Sequence, residues 1–192
     1  MRQPMEDKVV TISRAKGSLT FSANFQLIAA MNPCPCGNFG SQKACGCALA
    51  VVPDTKNASP VPLPDRIDIH IEVPSADYEK LSSDRLGETS ETIRKWVQAT
   101  RDVQNKRFSD KESKDMVSNA DMRVGEIRQF CKFDDQNQSL MRSAMTQLNL
   151  SARGYHRVLK LARTIADLAT SEDIQSVHLA EALQYRPKLM MG

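Results

Sequence analysis

Four of the five cysteines of the chain stand close together as two short pairs. Cys34 and Cys36 form the first C-x-C pair, and eight residues separate it from the second pair, Cys45 and Cys47. Four thiolates are a ligand set that zinc takes in closed tetrahedral structural sites, so we interpret the two pairs as a candidate zinc site. The spacing is tighter than the usual C-x₂₋₄-C pattern, and a redox pair or four idle thiols remain as alternatives.

A lysine is expected at the tip of a β-hairpin near the start of the chain. The β-rich runs Val9–Ser13 and Leu19–Phe21 flank a short glycine-containing segment, which is typical of a hairpin and places Lys16 at its tip. A lysine at a loop tip is usually just solvated.

Two further runs predict strands of a parallel sheet. The segment Phe25–Met31 is almost continuously apolar and ends at Asn32-Pro33, which favours a strand buried on both faces. The segment Ile67–Val73 alternates apolar and polar residues, as in a strand with one covered face. The first third of the chain is therefore predicted to be α/β, with a cysteine-rich irregular insertion between these strands.

The rest of the chain is predicted to be helical. The periodicity indicates five helices, and we expect three parts: residues 1–75 as an α/β part, 76–117 as a helical linker and 118–192 as an all-α part. Ser151 is a candidate N-cap of the fourth helix, and Cys131 beside Phe130 is expected to be a buried small hydrophobe. The predicted apolar faces contain Ile93, Trp96, Val97 and Val103; Val124, Ile127 and Phe130; Met141, Met145 and Leu148; Val158, Leu159, Ala162, Ile165, Ala166 and Leu168; and Val177, Leu179, Ala180 and Leu183.

The composition is that of an ordinary folded domain, with 41% hydrophobic and 26% charged residues. No apolar run approaches the roughly 18 residues of a membrane span, and the first residues carry no apolar core of a secretory signal. We therefore expect a cytoplasmic protein with reduced thiols and no membrane partner. The net charge of +3 leaves a nucleic-acid partner open.

Several separated motifs resemble one family in their order along the chain. Taken together they resemble the magnesium-chelatase-like AAA+ ATPases, in their competence-associated, ComM-type branch, over nearly the whole chain. The motifs are Val10–Ala15, Ile28–Gly37, Asp65–His70, Ser151–Arg157 and Ala162–Leu168.

The resemblance implies roles for four residues. Asn32 matches sensor 1, which orients the attacking water with an uncharged amide; the alternative is a plain Asn-Pro turn. Arg66 matches the arginine finger that acts on a neighbouring subunit's nucleotide, and the alternative is a surface ion pair with Asp65 or Asp68. Arg153 matches sensor 2, which binds the nucleotide from the lid, the all-α part at residues 118–192, and could otherwise be a solvated helix arginine. Lys16 matches the lysine of a hairpin that contacts DNA in related helicases.

For the full-length family, the resemblance implies ATP and magnesium as cofactors, a hexamer-like homo-oligomeric ring and DNA as a partner. The function implied is a motor of helicase or branch-migration type. Two alternatives remain open: a motor subunit for metal insertion into a porphyrin, and a non-catalytic, zinc-stabilised interaction module.

The sequence contains no G-x-x-x-x-G-K-[ST] loop, and residues 1–7 resemble the helix that follows Walker B in the family. We therefore expect a C-terminal fragment whose polypeptide alone neither binds nor hydrolyses ATP. Residues 53–64 also depart from the family pattern, and we hypothesise a compensated frameshift there, which the codons of the underlying DNA would test; the alternative is a divergent loop.

Overall fold

The computed structural model describes residues 2–32, 34–38, 43–48, 67–73, 82, 87–109 and 116–186. The chain divides into two compact units, Met1–Arg66 and Ile67–Gly192. Arg66 and the segment 53–64 lie outside the described residues, so the predicted finger and the hypothesised frameshift stay predictions.

The first unit is built around the predicted hairpin. Helix α1 (Arg2–Asp7) precedes strands β1 (Val9–Arg14) and β2 (Gly17–Ser22), which pair antiparallel. The last bridge joins Arg14 to Gly17, so the turn consists of Ala15 and Lys16. Gly17 has φ 141°, a backbone conformation that residues with a Cβ atom rarely adopt, and this explains the glycine after the turn. The prediction of a hairpin with Lys16 at its tip is confirmed.

The apolar run Phe25–Met31 does not form the predicted buried strand. It has no regular secondary structure, and Ile28 and Met31 are each 84% exposed. Only β1 and β2 pair in the part of the chain that the structure describes, so this run has no neighbouring strand there. An apolar sequence can favour a strand, but a strand forms only where a partner supplies the other half of its hydrogen bonds.

The alternating segment Ile67–Val73 is likewise not a strand in the described structure. Its apolar side chains Ile69, Ile71 and Val73 are exposed, whereas Ile67 and His70 are partly buried. The prediction of one covered apolar face is therefore wrong, because the two partly buried residues, Ile67 and His70, lie on opposite sides of the alternating pattern.

The second unit contains five α-helices, as predicted, among its described residues. A short 3₁₀ helix, Asn119–Asp121, lies between the first two. The helices are α2 (Ser90–Ser109), α3 (Val124–Phe130), α4 (Asp135–Gln147), α5 (Ala152–Leu168) and α6 (Ser176–Gln184).

Helix α5 is the centre of the lid, and its amphipathic pattern explains why. Five of its six predicted core residues are buried, and Leu168, at the helix end, is exposed. Ser151 caps the helix, because its Oγ accepts a hydrogen bond of 3.1 Å from the amide of Gly154, as predicted. The core that surrounds α5 includes Met122, Ile127, Met141, Ile174, Leu179 and Ala182.

Helix α2 forms where predicted but buries a different part of its face. Ile93, Trp96, Val97 and Val103 are exposed, Trp96 by 52%. The same helix face continues into the buried residues Thr100, Gln104 and Phe108. Phe108 stacks edge-on against Phe130 of α3, with ring centroids 5.9 Å apart. The predicted helix is therefore confirmed, but the prediction that these four residues face the core is wrong, since the buried residues of the helix lie toward its C-terminal end.

No helix in the described parts of the chain is both long and apolar enough to cross a membrane.

Candidate functional site

The four cysteines of the two C-x-C pairs lie together in the first unit. The Sγ atom of Cys34 is 3.3 Å from that of Cys36 and 3.7 Å from that of Cys45, and Cys36 and Cys45 are 3.6 Å apart. All four sulfur atoms, including that of Cys47, lie within 4.8 Å of one another. A tetrahedron with Zn–S bonds of about 2.3 Å has edges of about 3.8 Å, so the four sulfurs fit a zinc ion.

A tight turn brings the first pair into this cluster. The amide of Gly37 donates to the carbonyl of Cys34 over 2.9 Å, and Gly37 has φ 74°, a left-handed conformation that favours glycine. The chain therefore reverses directly after Cys36, which lets both thiols of the pair face the second pair.

The surroundings of the cluster shift the pKa values of two of its thiols in opposite directions. A backbone hydrogen bond from Asn38, helped by the thiols of Cys34 and Cys47, lowers the pKa of Cys36 to about 6. A backbone hydrogen bond at Cys47 acts to lower the pKa of Cys45, but desolvation and the neighbouring thiols outweigh it and raise that pKa to about 12. Crowded thiols resist forming several thiolates at once without a cation, and a divalent ion would remove that conflict.

The remaining predicted site residues are not brought together in the same way. Lys16 is exposed at the hairpin tip, and Asn32 is exposed in the irregular segment of the first unit. Arg153 is exposed on the first turn of α5, in the second unit. Arg66 lies outside the described residues. Cys131 is buried, and burial raises the pKa of its thiol to about 11, so the prediction of a buried small hydrophobe is confirmed.

The sequence reasoning missed a buried ionic network in the lid. The side chain of Asp167, on α5, is fully buried and accepts hydrogen bonds from Arg107 of α2, from Asn119 and from Arg163. Desolvation acts to raise the pKa of Asp167, but the hydrogen bonds from Arg107 and Asn119 hold it below its usual value. The signal was present, since Arg163 and Asp167 are four residues apart on the apolar face of α5.

Sequence reasoning also missed the contacts of Asp68. We considered this residue as an ion-pair partner of Arg66, whereas the structure pairs it with Arg157 of α5, at 2.5 Å. The two residues are far apart in the sequence, and no local pattern predicts such a contact.

Comparison with known families decides which group the chain belongs to. The model of magnesium chelatase subunit ChlI matches residues 1–81, and the model of the ChlI C-terminal region matches residues 87–186. The chain belongs to the magnesium-chelatase-like family. The expected resemblance is thereby confirmed, with both halves of the chain matched in the order that the motifs indicated.

Individual relatives place this magnesium-chelatase-like chain near the ComM type. It is 39% identical over 188 residues to competence protein ComM of Haemophilus influenzae and 36% identical over 192 residues to the uncharacterized protein YifB of Escherichia coli. Each match covers 97% of this chain and 35% of the relative. An uncharacterized protein of Mycobacterium tuberculosis is 31% identical over 190 residues, which cover 97% of this chain and 36% of that protein. The chain thus spans about a third of the length of the curated relatives it matches.

Proposed function

We propose that this chain is part of a ring-forming AAA+ ATPase motor that acts on DNA, of helicase or branch-migration type. Membership of the family supports the assignment to a class of motor proteins, and the exposed hairpin with Lys16 at its tip supports DNA as the partner. In this proposal Asn32 orients the attacking water, Arg153 contacts the nucleotide from the lid, and Arg66 reaches the nucleotide of the neighbouring subunit. ATP and magnesium belong to the longer protein.

The exposed apolar run Phe25–Met31 supports the view that the chain works within a larger core. Contiguous exposed apolar side chains are rare on the surface of an isolated folded domain and usually mark a surface that another segment covers. A buried strand there would carry Asn32 at its end, as the sensor 1 role requires. The proposed organisation keeps an α/β part at residues 1–75, a linker at 76–117 and the lid at 118–192.

The hairpin has one face suited to a phosphate backbone. Thr11 and Thr20 pair through their hydroxyls at 3.1 Å, and Ser13 pairs with Ser18 at 2.9 Å. These exposed hydroxyls form a row that leads to Lys16. Hydroxyls and lysine ammonium groups are common donors to phosphate oxygens, and they contact DNA independently of its sequence. A ring would present several copies of this tip to one strand, so that individually weak contacts add together.

Replacing Lys16 with alanine is expected to weaken DNA binding by the chain without unfolding it. Because one phosphate contact is lost, the slope of log affinity against log salt should fall by about one, with a uniform loss across sequences. Binding to single-stranded and forked DNA, titrated by fluorescence anisotropy at several salt concentrations, measures both quantities.

The matched control is Lys132→Ala, which removes an equally exposed lysine from the lid. It should leave the salt slope unchanged, because the proposal assigns no phosphate contact to Lys132. Equal losses in the two variants would mean that binding follows net charge alone, and the hairpin would have no special role.

The chain by itself is expected not to bind ATP measurably. It contains no glycine-rich phosphate loop with its lysine, which in this class supplies most contacts to the β- and γ-phosphates. Isothermal titration with Mg-ATP tests this. Saturable binding at micromolar concentrations would contradict the assignment of the phosphate-binding elements to a part of the protein outside this sequence.

The cysteine cluster is proposed to hold one structural zinc ion, with Cys34, Cys36, Cys45 and Cys47 as ligands. The support is geometric, since the four sulfur atoms of two separate C-x-C pairs lie within 4.8 Å of one another. Four cysteine ligands leave no open coordination position, so such an ion would stabilise the fold of the insertion and take no part in ATP hydrolysis.

A non-catalytic interaction module is the second candidate, favoured by the exposed stripe on α2. Ile93, Trp96 and Val97 form an apolar surface that the lid leaves uncovered, as a partner-binding helix would. DNA binding by the chain that Lys16→Ala leaves unchanged, or no DNA binding at all, would favour this candidate over the DNA motor.

A further inference from the structure

The segment that directly follows position 66 is fastened to the lid at three points. The Nη1 atom of Arg186 donates to the carbonyl of Ile67 over 3.1 Å, and Arg157 pairs with Asp68 at 2.5 Å. The amide of His70 donates to the carbonyl of Tyr185 over 2.9 Å. Three contacts within four residues fix the position and direction of this backbone, although it forms no strand.

The partners of these contacts lie on the two central lid helices or directly after them. Arg157 is on the second turn of α5, and Tyr185 and Arg186 directly follow α6. Arg186 is buried, and its Nη2 atom lies 3.0 Å from the position that a Cβ of Gly154 would occupy. The missing side chain of Gly154 therefore leaves room for the guanidinium that binds Ile67.

The ion pair between Arg157 and Asp68 orients the segment more than it stabilises the fold. The side chains of Arg157 and Asp68 are 22% and 53% exposed, so water screens much of their attraction. Desolvation lowers the pKa of Lys160, one turn further along α5, and the nearby charge of Arg157 lowers it too, whereas Asp68 acts to raise it. The ammonium of Lys160 donates to the carbonyl of Ala120 over 2.8 Å, and Asp68 forms its ion pair with Arg157.

The boundary between the two compact units falls between Arg66 and Ile67. We propose that Asp68, Arg157 and Arg186 are positioning residues that fix the backbone after position 66 to the lid, beside the start of α5. This inference rests on the proposed motor function for the roles of Arg66 and Arg153. In that motor, the backbone at residues 67–70 is held to the helix that carries Arg153, the residue proposed as sensor 2.

The test uses charge reversal in the 192-residue chain. Asp68→Arg places two guanidinium groups together, and Arg157→Asp places two carboxylates together, so each change should release the segment. Amide hydrogen exchange of His70, followed by NMR, should accelerate at least tenfold in each single variant. The heteronuclear NOE of the Ile67 amide should fall toward the value of a free chain. The double variant Asp68→Arg/Arg157→Asp restores an ion pair and should return both readouts most of the way.

If these residues only stabilised the lid as a whole, exchange would accelerate equally throughout it. The proposal instead predicts that the exchange of Val158 and Leu179, which are fully buried in the lid core, stays unchanged in all three variants. Arg142→Asp, which reverses an exposed arginine on α4, is the matched control and should alter neither His70 nor Ile67. Unchanged exchange of His70 in the single variants, equal acceleration throughout the lid, or no recovery in the double variant would each overturn the proposal. The measurement needs neither DNA nor nucleotide, so a failure of the proposed motor function would be seen separately, in the Lys16 and ATP titrations.

Discussion

Replacing Asp167 with asparagine is expected to lower the free energy of unfolding of the lid by about 3–5 kcal/mol. The asparagine keeps the shape of the side chain but removes the charge that compensates Arg107 and Arg163. Arg107 is only 14% exposed and Arg163 only 4%, so neither guanidinium can recover its lost partner from water. Urea unfolding monitored by circular dichroism measures the loss, and fluorescence of Trp96 on α2 gives a second probe.

The matched control is Asp173→Asn, an exposed carboxylate a few residues further along the chain. It should change the free energy of unfolding by less than about 0.5 kcal/mol. A double-mutant cycle with Arg107→Met separates the pair from its surroundings, because the double variant should lose much less than the sum of the two single losses. A loss below about 1 kcal/mol in Asp167→Asn would show that the network contributes little to stability.

The same network gives the lid a defined acid sensitivity. The folded pKa of Asp167 lies below its unfolded value, so the folded state favours the ionised form. The stabilisation is therefore fully present above the unfolded pKa of about 3.9 and is lost as the pH falls through the folded pKa. In Asp167→Asn this part of the acid-induced loss should be absent, while overall stability is lower at neutral pH.

The purified chain is expected to contain about one zinc ion, with removal of the ion unfolding the cysteine-rich turn region. Substitution with Co²⁺ should give the intense absorption of tetrahedral cobalt–thiolate bonds. Replacing Cys36 with serine removes a direct ligand, so the zinc affinity should fall by more than the roughly 10–100-fold that outer-shell changes cause. Metal analysis and competition with a chromophoric chelator measure the stoichiometry and the affinity.

Cys131→Ala is the control for this experiment, because Cys131 is buried in the lid core and outside the cluster. It should leave the zinc content and the cobalt spectrum unchanged. Absence of zinc from the purified chain, together with rapid titration of all four cluster thiols, would contradict the proposed site. The affinity should also weaken as the pH falls, since protons compete with the metal for the sulfur atoms.

Much of the lid follows from local sequence. The periodicity of α5 and the cap at Ser151 act within a few residues, so the helix, its start and its buried face could all be predicted. The hairpin was predictable for the same reason, because the β-rich runs and the glycine at position 17 are adjacent. The cysteine cluster also depends on residues close together in the sequence, since the C-x-C spacing and the tight turn at Gly37 help to bring the sulfurs together.

The incorrect predictions concern segments whose burial depends on contact with another segment. Phe25–Met31 has the composition of a buried strand, yet composition does not supply the neighbouring strands that would pair with it and cover it. Helix α2 carries apolar residues at helical spacing, but only its packing against α5 decides that Thr100 and Gln104 are buried while Trp96 is exposed. Periodicity predicts which side of a helix faces inward, but it does not predict how far the covering element reaches.

The sequence by itself determined the family, the helical lid, the hairpin and the convergence of four thiols, because each depends on spacing within a short stretch or on motifs in order. Only the tertiary structure placed Asp167 between Arg107 and Arg163, and Asp68 against Arg157. Of these contacts, the one between Arg157 and Asp68 joins the residues that are farthest apart in the sequence, with a separation of 89 positions. Charged side chains of this kind are common on solvated surfaces, and packing alone decides which of them become buried partners and which remain in water.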